Sequence, residues 1–215
     1  MGEQLLDLIL PRACGGCGRA GIGWCAACAD ALSGPPIRIR PRADPGVPCW
    51  ALAPYRGAPR RAVLAAKEHR RRDLATPLGA SIARGLDILR DGSRPLILVP
   101  APSRRVAARR RGGDPVLRAA SVAASWLPDC RLVRMLCMRP GVRDSVGLSS
   151  SDRQHNLRGR IMVVPDCPPT RMFPANAEVV LVDDVLTTGA TVSESVRALS
   201  DARVTVRAVL VTCAA

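Results

Sequence analysis

The sequence predicts an α/β fold, a mostly parallel sheet flanked by helices, preceded by a small zinc-ribbon-like module. Three observations carry the prediction. Short, nearly continuous apolar runs alternate with amphipathic stretches from residue 50 onward, the pattern of parallel strands covered on both faces. Two C-x2-C pairs stand close together near the N-terminus. Between these regions lies a breaker cluster followed by an Arg/Pro-rich stretch, which reads as a boundary. At 215 residues and 22.8 kDa the chain has room for one α/β domain with an appendage.

The cysteines come first. Cys14-Gly-Gly-Cys17 and Cys25-Ala-Ala-Cys28 are separated by seven residues, which suits four thiolates converging on one tetrahedral Zn²⁺. Glycines at 15, 16 and 18 allow tight knuckles, and so small a segment has little else to hold it folded. A closed four-thiolate site leaves no coordination position for water, so its role is structural. A redox C-x-x-C pair is the alternative, but no βαβ pattern surrounds either pair. Cys49, Cys130, Cys137, Cys167 and Cys213 have no partner spacing and read as buried free thiols.

The expected domains are a zinc module over 1–34, a linker over 35–49 and an α/β domain over 50–215. Ser33-Gly34-Pro35-Pro36 ends the module. A strand is expected from Trp50 to Tyr55 and a helix over Arg60 to Lys67 with Ala62, Val63 and Ala66 on its apolar side. Thr76 reads as an N-cap, with Pro77 opening a helix that carries Leu78, Ile82, Leu86 and Leu89 on one face and stops at Asp91-Gly92. Leu96 to Val99 is an apolar strand broken by Pro100-Ala101-Pro102, and Asp114-Pro115 opens a helix reaching Trp126. Strands are expected at Arg131 to Leu136 and Ile161 to Val164. The aperiodic, Arg/Ser/Gly-rich stretch over 139–158 between them reads as a functional lid or mobile loop. Glu178 to Val185 is the clearest strand, followed by a helix over Thr191 to Leu199 and a last strand over Arg203 to Thr212.

Chemistry concentrates in Val179-Val180-Leu181-Val182-Asp183-Asp184-Val185-Leu186-Thr187-Thr188-Gly189-Ala190-Thr191. A buried strand delivers two acids to its carboxyl end, the edge at which open α/β sheets bind ligands. The Thr/Gly turn then opens a helix, and such a turn's N–H groups form a nest for a phosphate monoester. The two carboxylates then face the group that bears the phosphate, where they can accept hydrogen bonds from sugar hydroxyls. An acidic strand end with a helix cap would explain the acids but not the Thr-Thr-Gly-Ala-Thr. A phosphate-bearing ligand also calls for cations. Ser103-Arg104-Arg105 after a strand supplies two, and Arg143, Arg153 and Arg158 lie in the polar stretch. Of 32 basic residues only Lys67 is lysine, which suggests a local need for a compact point charge.

The stretch of apolar residues, two acids and then, after Val185-Leu186, Thr-Thr-Gly-x-Thr resembles the phosphoribosyl pyrophosphate (PRPP) signature of type I phosphoribosyltransferases. The wider chain resembles the ComF family, in which a four-cysteine zinc module precedes a type I phosphoribosyltransferase-like domain. The landmarks are Leu5-Leu6-Asp7-Leu8-Ile9-Leu10-Pro11, the zinc knuckles, Tyr55-Arg56-Gly57, Lys67, Val99-Pro100-Ala101-Pro102 with Arg104-Arg105, Val146-Gly147-Leu148-Ser149, Arg153, Asn156-Leu157-Arg158-Gly159 and the Asp-Asp motif. The resemblance implies that Asp183 and Asp184 hold ribose hydroxyls, and that Val185, Leu186, Thr187, Thr188, Gly189, Ala190 and Thr191 cradle the 5-phosphate. It implies that Ala101, Pro102, Ser103, Arg104 and Arg105 bind pyrophosphate, and that Asp183, Asp184, Lys67 and Arg153 serve catalysis. Cys14, Cys17, Cys25 and Cys28 are the metal ligands. Mg²⁺ would accompany PRPP, and pyrophosphate would leave in line from C1 of the ribose. Where the family usually has an aromatic and Asn-Gln after Arg111-Gly112, this chain has Gly113-Asp114-Pro115. Glu68-His69 likewise replaces the common residues after Lys67.

Two function classes follow. One is a Mg²⁺-dependent phosphoribosyltransferase-like enzyme that transfers ribose 5-phosphate from PRPP to an acceptor the sequence does not identify. The other is a non-catalytic PRPP-sensing or single-stranded-DNA-handling protein, in keeping with the family's link to natural transformation and with competence-machinery partners. A formal charge of +14 favours polyanion partners, whereas 2% aromatics leaves few stacking platforms for bases. The family's loop architecture often works in dimers, so a homodimer is among the expectations. No apolar stretch approaches membrane-spanning length and no basic leader precedes the short apolar run of the first residues, so the expected location is cytoplasmic without membrane insertion.

Overall fold

The most continuously apolar segment of the sequence becomes the middle of the sheet. The computed structural model describes residues 13–103, 113–139, 157, 159–165 and 173–215. Its elements are α1 (Ala26–Asp30), β1 (Ile37–Ile39), β2 (Cys49–Pro54), α2 (Gly57–Glu68), a 3-10 turn (Arg72–Leu74), α3 (Ala75–Leu89), β3 (Leu96–Pro100), α4 (Pro115–Trp126), β4 (Cys130–Leu132), β5 (Leu136–Met138), β6 (Ile161–Val163), β7 (Glu178–Leu186), α5 (Ala190–Asp201) and β8 (Val206–Ala214). A six-stranded sheet runs β1-β2-β8-β7-β3-β4, and β5 with β6 makes a separate ribbon. Within the large sheet only the β1–β2 pairing is antiparallel. The predicted α/β class with a mostly parallel, helix-flanked sheet is what the chain forms. Among the described residues no helix is long and apolar enough to cross a membrane.

Both faces of the sheet are covered, which explains why its strands lack a polar alternation. On one face Ala62, Leu78, Ile82 and Ala119 from α2, α3 and α4 pack on Leu98, Val180, Val182 and Leu210. On the other, Val192, Val196 and Leu199 of α5 and Ile161 of the ribbon pack on Ile97, Val99, Leu181 and Val209. Helices α3 and α4 approach closely at Gly79. A Cβ there would stand 2.6 Å from Val122 Cβ and 2.7 Å from the Ala119 carbonyl oxygen.

Several boundaries differ from the sequence reading, three of them for a visible packing reason. Helix α3 begins at Ala75 with Leu74 at its N-cap, not at Thr76 and Pro77. Leu74 is fully buried beneath the cysteine segment, where a Cβ on Gly15 would stand 2.6 Å from its methyls, so tertiary packing sets the start. The stretch read as linker contains β1, which pairs Ile37 with Ala51 and Ile39 with Cys49. The strand expected over Arg131 to Leu136 divides into β4 and β5, because the Val133 amide still bonds to the Leu98 carbonyl (2.9 Å) before the chain turns away into the ribbon.

The cysteine segment is fastened to this domain by arginines. Arg71 donates to the carbonyls of Ala13 (2.8 Å) and Gly23 (3.3 Å), and Asp73 holds its guanidinium through both carboxylate oxygens, at 2.8 and 2.7 Å. Arg61 Nε donates to the Gly16 carbonyl.

Candidate functional site

Period-two alternation decides what surrounds each of the two acids. Along β7, Val179 and Leu181 face the α5 side while Val180 and Val182 face α2 and α3. Continuing the alternation sends Asp184 toward α2 and Asp183 to the opposite side. Lys67, in the last turn of α2, meets Asp184 there, with Nζ 2.9 Å from Oδ1 and 2.8 Å from Oδ2. Although close to the ammonium, the buried Oδ2 accepts no aligned hydrogen bond, so it can receive one from a hydroxyl entering the site. Asp183 Oδ1 accepts the Asp184 amide at 2.8 Å. Burial, then the neighbouring Asp184 charge, raise the Asp183 pKa to about 8, against the opposing pull of Lys67.

Beyond the acids the chain turns through Thr187-Thr188-Gly189 into α5. Gly189 has φ +86° at the helix N-cap, a left-handed conformation that glycine adopts without penalty. Its missing side chain also matters for packing. A Cβ would stand 2.6 Å from Pro41 Cβ and 2.7 Å from the Ala43 carbonyl. The Ala43 amide donates to the Thr188 carbonyl at 2.9 Å, so the segment after β1 buttresses the turn. The first amides of α5 have no intrahelical acceptors and carry the positive end of the helix dipole, which favours an anion.

The end of β3 forms the facing wall. The Ala101 amide continues the pairing by donating to the Val182 carbonyl at 2.8 Å. Ser103 Oγ then donates to Asp114 Oδ2 at 2.6 Å. Asp114 Oδ1 caps α4 by accepting from the amides of Val116 (3.0 Å) and Leu117 (3.3 Å). A cleft of about 530 Å³ brings together Lys67, Ala101, Pro102, Ser103, Asp183, Asp184 and every residue from Val185 to Thr191. Those sequence-predicted residues therefore share one wall-to-wall site. Arg104, Arg105, Arg143, Arg153 and Arg158, with the rest of the expected loop over 140–156, lie outside the described residues.

Sequence reasoning did not assign site roles to Tyr55, Leu64, Glu68 and Met138, which also line the cleft. Tyr55 belonged to a motif landmark and Glu68 to a departure from it, whereas Leu64 and Met138 carry no sequence signal. His69 is exposed at the end of α2.

The cysteine cluster is a separate centre. The sulfurs of Cys14, Cys17, Cys25 and Cys28 all lie within 4.8 Å of one another. Cys25 Sγ is 3.7 Å from Cys14 Sγ and 3.6 Å from Cys17 Sγ, close to the ~3.8 Å edge of a tetrahedron with ~2.3 Å metal–sulfur bonds. Burial acts to raise the Cys14 thiol, but backbone hydrogen bonds from Cys17, Cys25 and Gly16, with one from the Cys28 thiol, bring it down to about 6. Burial and the neighbouring sulfurs hold Cys28 upward. Four thiolates this close require a cation among them, and the arrangement can hold a metal ion such as zinc. Gly16 packs against the site, since a Cβ would stand 2.6 Å from Cys28 Sγ. Among the other cysteines, Cys49 and Cys213 are buried while Cys130 and Cys137 are only partly so. Cys167 lies outside the described residues.

No family model matches this chain, and no curated protein matches it.

Proposed function

We propose that the chain is a ComF-type protein with a type I phosphoribosyltransferase-like fold that binds PRPP with Mg²⁺ and transfers ribose 5-phosphate, releasing pyrophosphate. One observation carries the reading: a Lys67–Asp184 pair, a second acid and a Thr-Thr-Gly helix entrance all open into one cleft whose opposite wall is the end of β3. In this reading the 5-phosphate lies on the amides of Thr187 to Thr191, where the start of α5 favours an anion. Asp184 and Asp183 accept the ribose hydroxyls. Oδ2 of Asp184, ion-paired with Lys67 but accepting no aligned hydrogen bond, is suited to one of them, and the proton on Asp183 near neutral pH limits repulsion from the incoming phosphates.

The fit of Mg²⁺ rests on donor chemistry. Mg²⁺ prefers oxygen ligands and is usually held by substrate phosphates with one or two carboxylates; four acids line this cleft, Glu68, Asp114, Asp183 and Asp184, and Asp183 would give up its proton to serve as a ligand. Bound there, it would neutralise charge on the leaving pyrophosphate. The C1–O bond to pyrophosphate breaks with its electron pair leaving on pyrophosphate. The nucleophile's lone pair forms the new bond to C1, and its proton passes to solvent. Zn²⁺ on the four cysteines would be structural, with all four positions filled by sulfur.

Calorimetric titration with PRPP, with and without Mg²⁺, tests the reading. Saturable, Mg²⁺-dependent binding that Asp184→Asn abolishes is expected, together with slow pyrophosphate release by water attack. An unchanged titration in Asp184→Asn, or no binding by the parent protein, would overturn it.

A further inference from the structure

A second pocket, of about 330 Å³, opens off the donor cleft on its β4 side. It shares Ala101, Pro102, Ser103, Asp114 and Met138 with that cleft, so a ligand on the wall after β3 can extend into either. Its one cationic side chain among the described residues is Arg134. The position of this arginine follows from its neighbours. Val133 and Met135 are buried, and the Met135 carbonyl accepts the Val164 amide at 2.7 Å, which anchors this crossing from β4 to the ribbon. With residues on both sides turned inward, the intervening side chain turns outward, and Arg134 is exposed.

Some guanidinium groups of this fold are held by acids and are not available to a ligand. Arg71 is held by Asp73, Arg197 by Glu194 and Asp201, and Arg207 by Glu178. Arg134 has no hydrogen-bond or ion-pair partner among the described residues. Asp114, the acid in the same pocket, does not compete for it strongly, because Ser103 and two helix amides already satisfy its oxygens. An unpaired guanidinium beside a cleft is suited to a phosphate group, which it can grip through two N–H donors.

We infer that Arg134 and the side pocket bind the pyrophosphate group on the β4 side of the wall, so that Arg134 is a leaving-group contact that no motif marks. The inference rests on the PRPP-binding reading above and assigns one of its subsites. The anion held there is the pyrophosphate part of the donor, or free pyrophosphate after transfer. The ribose 5-phosphate end is held elsewhere, at the start of α5.

The separation of the two subsites supplies the test. Inorganic pyrophosphate with Mg²⁺, and separately ribose 5-phosphate, are titrated calorimetrically into the parent protein, Arg134→Ala, Arg134→Lys and the control Arg131→Ala. Arg131 is exposed on β4 and lines neither pocket. Arg134→Ala is expected to weaken pyrophosphate by roughly tenfold to a hundredfold, the usual worth of a charged hydrogen bond, and to leave ribose 5-phosphate unchanged. Arg134→Lys, which keeps the charge without the fork, should recover part of the loss, and Arg131→Ala should match the parent. Pyrophosphate affinity unchanged in Arg134→Ala, or equal weakening for both ligands, overturns the assignment while leaving the donor site standing. Failure of the parent to bind either ligand overturns the donor site and this subsite together.

Discussion

Lys67 and Asp184 lie on different layers, a helix and the central strand, and their contact makes the site dependent on both. Their side chains retain 29% and 13% of their exposure, so solvent screens the pair only in part. Lys67→Met would leave a largely buried carboxylate without its cation, and a loss of about 1–3 kcal/mol in denaturant unfolding is expected. A midpoint equal to that of the parent would show that the pair contributes nothing to stability. Asp183 makes a different prediction. Burial and the Asp184 charge raise its folded pKa to about 8, above the ~3.9 of an unfolded aspartate. Between those values the native state keeps a proton that the unfolded state has released. This group's contribution is therefore fully present below about pH 4 and is lost as pH rises toward about 8. Asp183→Asn should remove that slope, becoming more stable relative to the parent at about pH 8 than at about pH 5. Thermal melts at the two pH values, without ligand, measure it, and parallel behaviour of parent and variant would refute it.

Helix α2 connects the two centres of the molecule. Its first half rests on the cysteine cluster, with Ala58 packed against Cys14, Cys25 and Cys28 and Arg61 bonded to the Gly16 carbonyl. Its last turn presents Lys67 to Asp184. Stripping metal from the cysteines should loosen the support of α2 before the sheet itself opens. Hydrogen exchange should then show faster exchange in α2 than in β7 after chelation, with weaker PRPP binding. Unchanged protection of α2 would mean that the two centres are independent. Little of this connection was legible in the sequence. The cysteine spacing, the Asp114 cap and β7 were readable because each is local: knuckle glycines, a cap followed by proline, and a strand buried on both faces. The register of β1 on β2, the start of α3 under Gly15, and the grips of Arg61 and Arg71 on carbonyls are long-range contacts. An arginine reaching a main-chain oxygen leaves no periodic trace, and Arg71 in an arginine run reads as solvated surface. The cleft at the end of β7 was legible in its motif residues and not in Leu64 or Met138, which topology alone brings to its walls, nor in Arg134 of the adjoining pocket.

Over the whole molecule, 32 basic against 18 acidic residues give a formal charge of +14, and such a field attracts any polyanion whether or not a site exists for it. Single-stranded DNA is therefore expected to bind at low salt through phosphate contacts. With so few aromatic residues, little of that binding can come from base stacking. Binding that arises from the diffuse field depends on counterion release, so a protein meeting six or more phosphates loses roughly a thousandfold in affinity between about 50 and 200 mM salt. A ligand held in the cleft by helix amides, hydroxyls and one or two arginines engages fewer screened charges. Its affinity should fall by less than about tenfold over the same range. Titrating an oligonucleotide and PRPP across that salt series separates the two. A steep DNA slope beside a shallow PRPP slope, with only the latter lost in Asp184→Asn, assigns recognition to the cleft and the charge to general attraction. A shallow DNA slope would point instead to a structured nucleic-acid surface, and would move the function away from the end of β7.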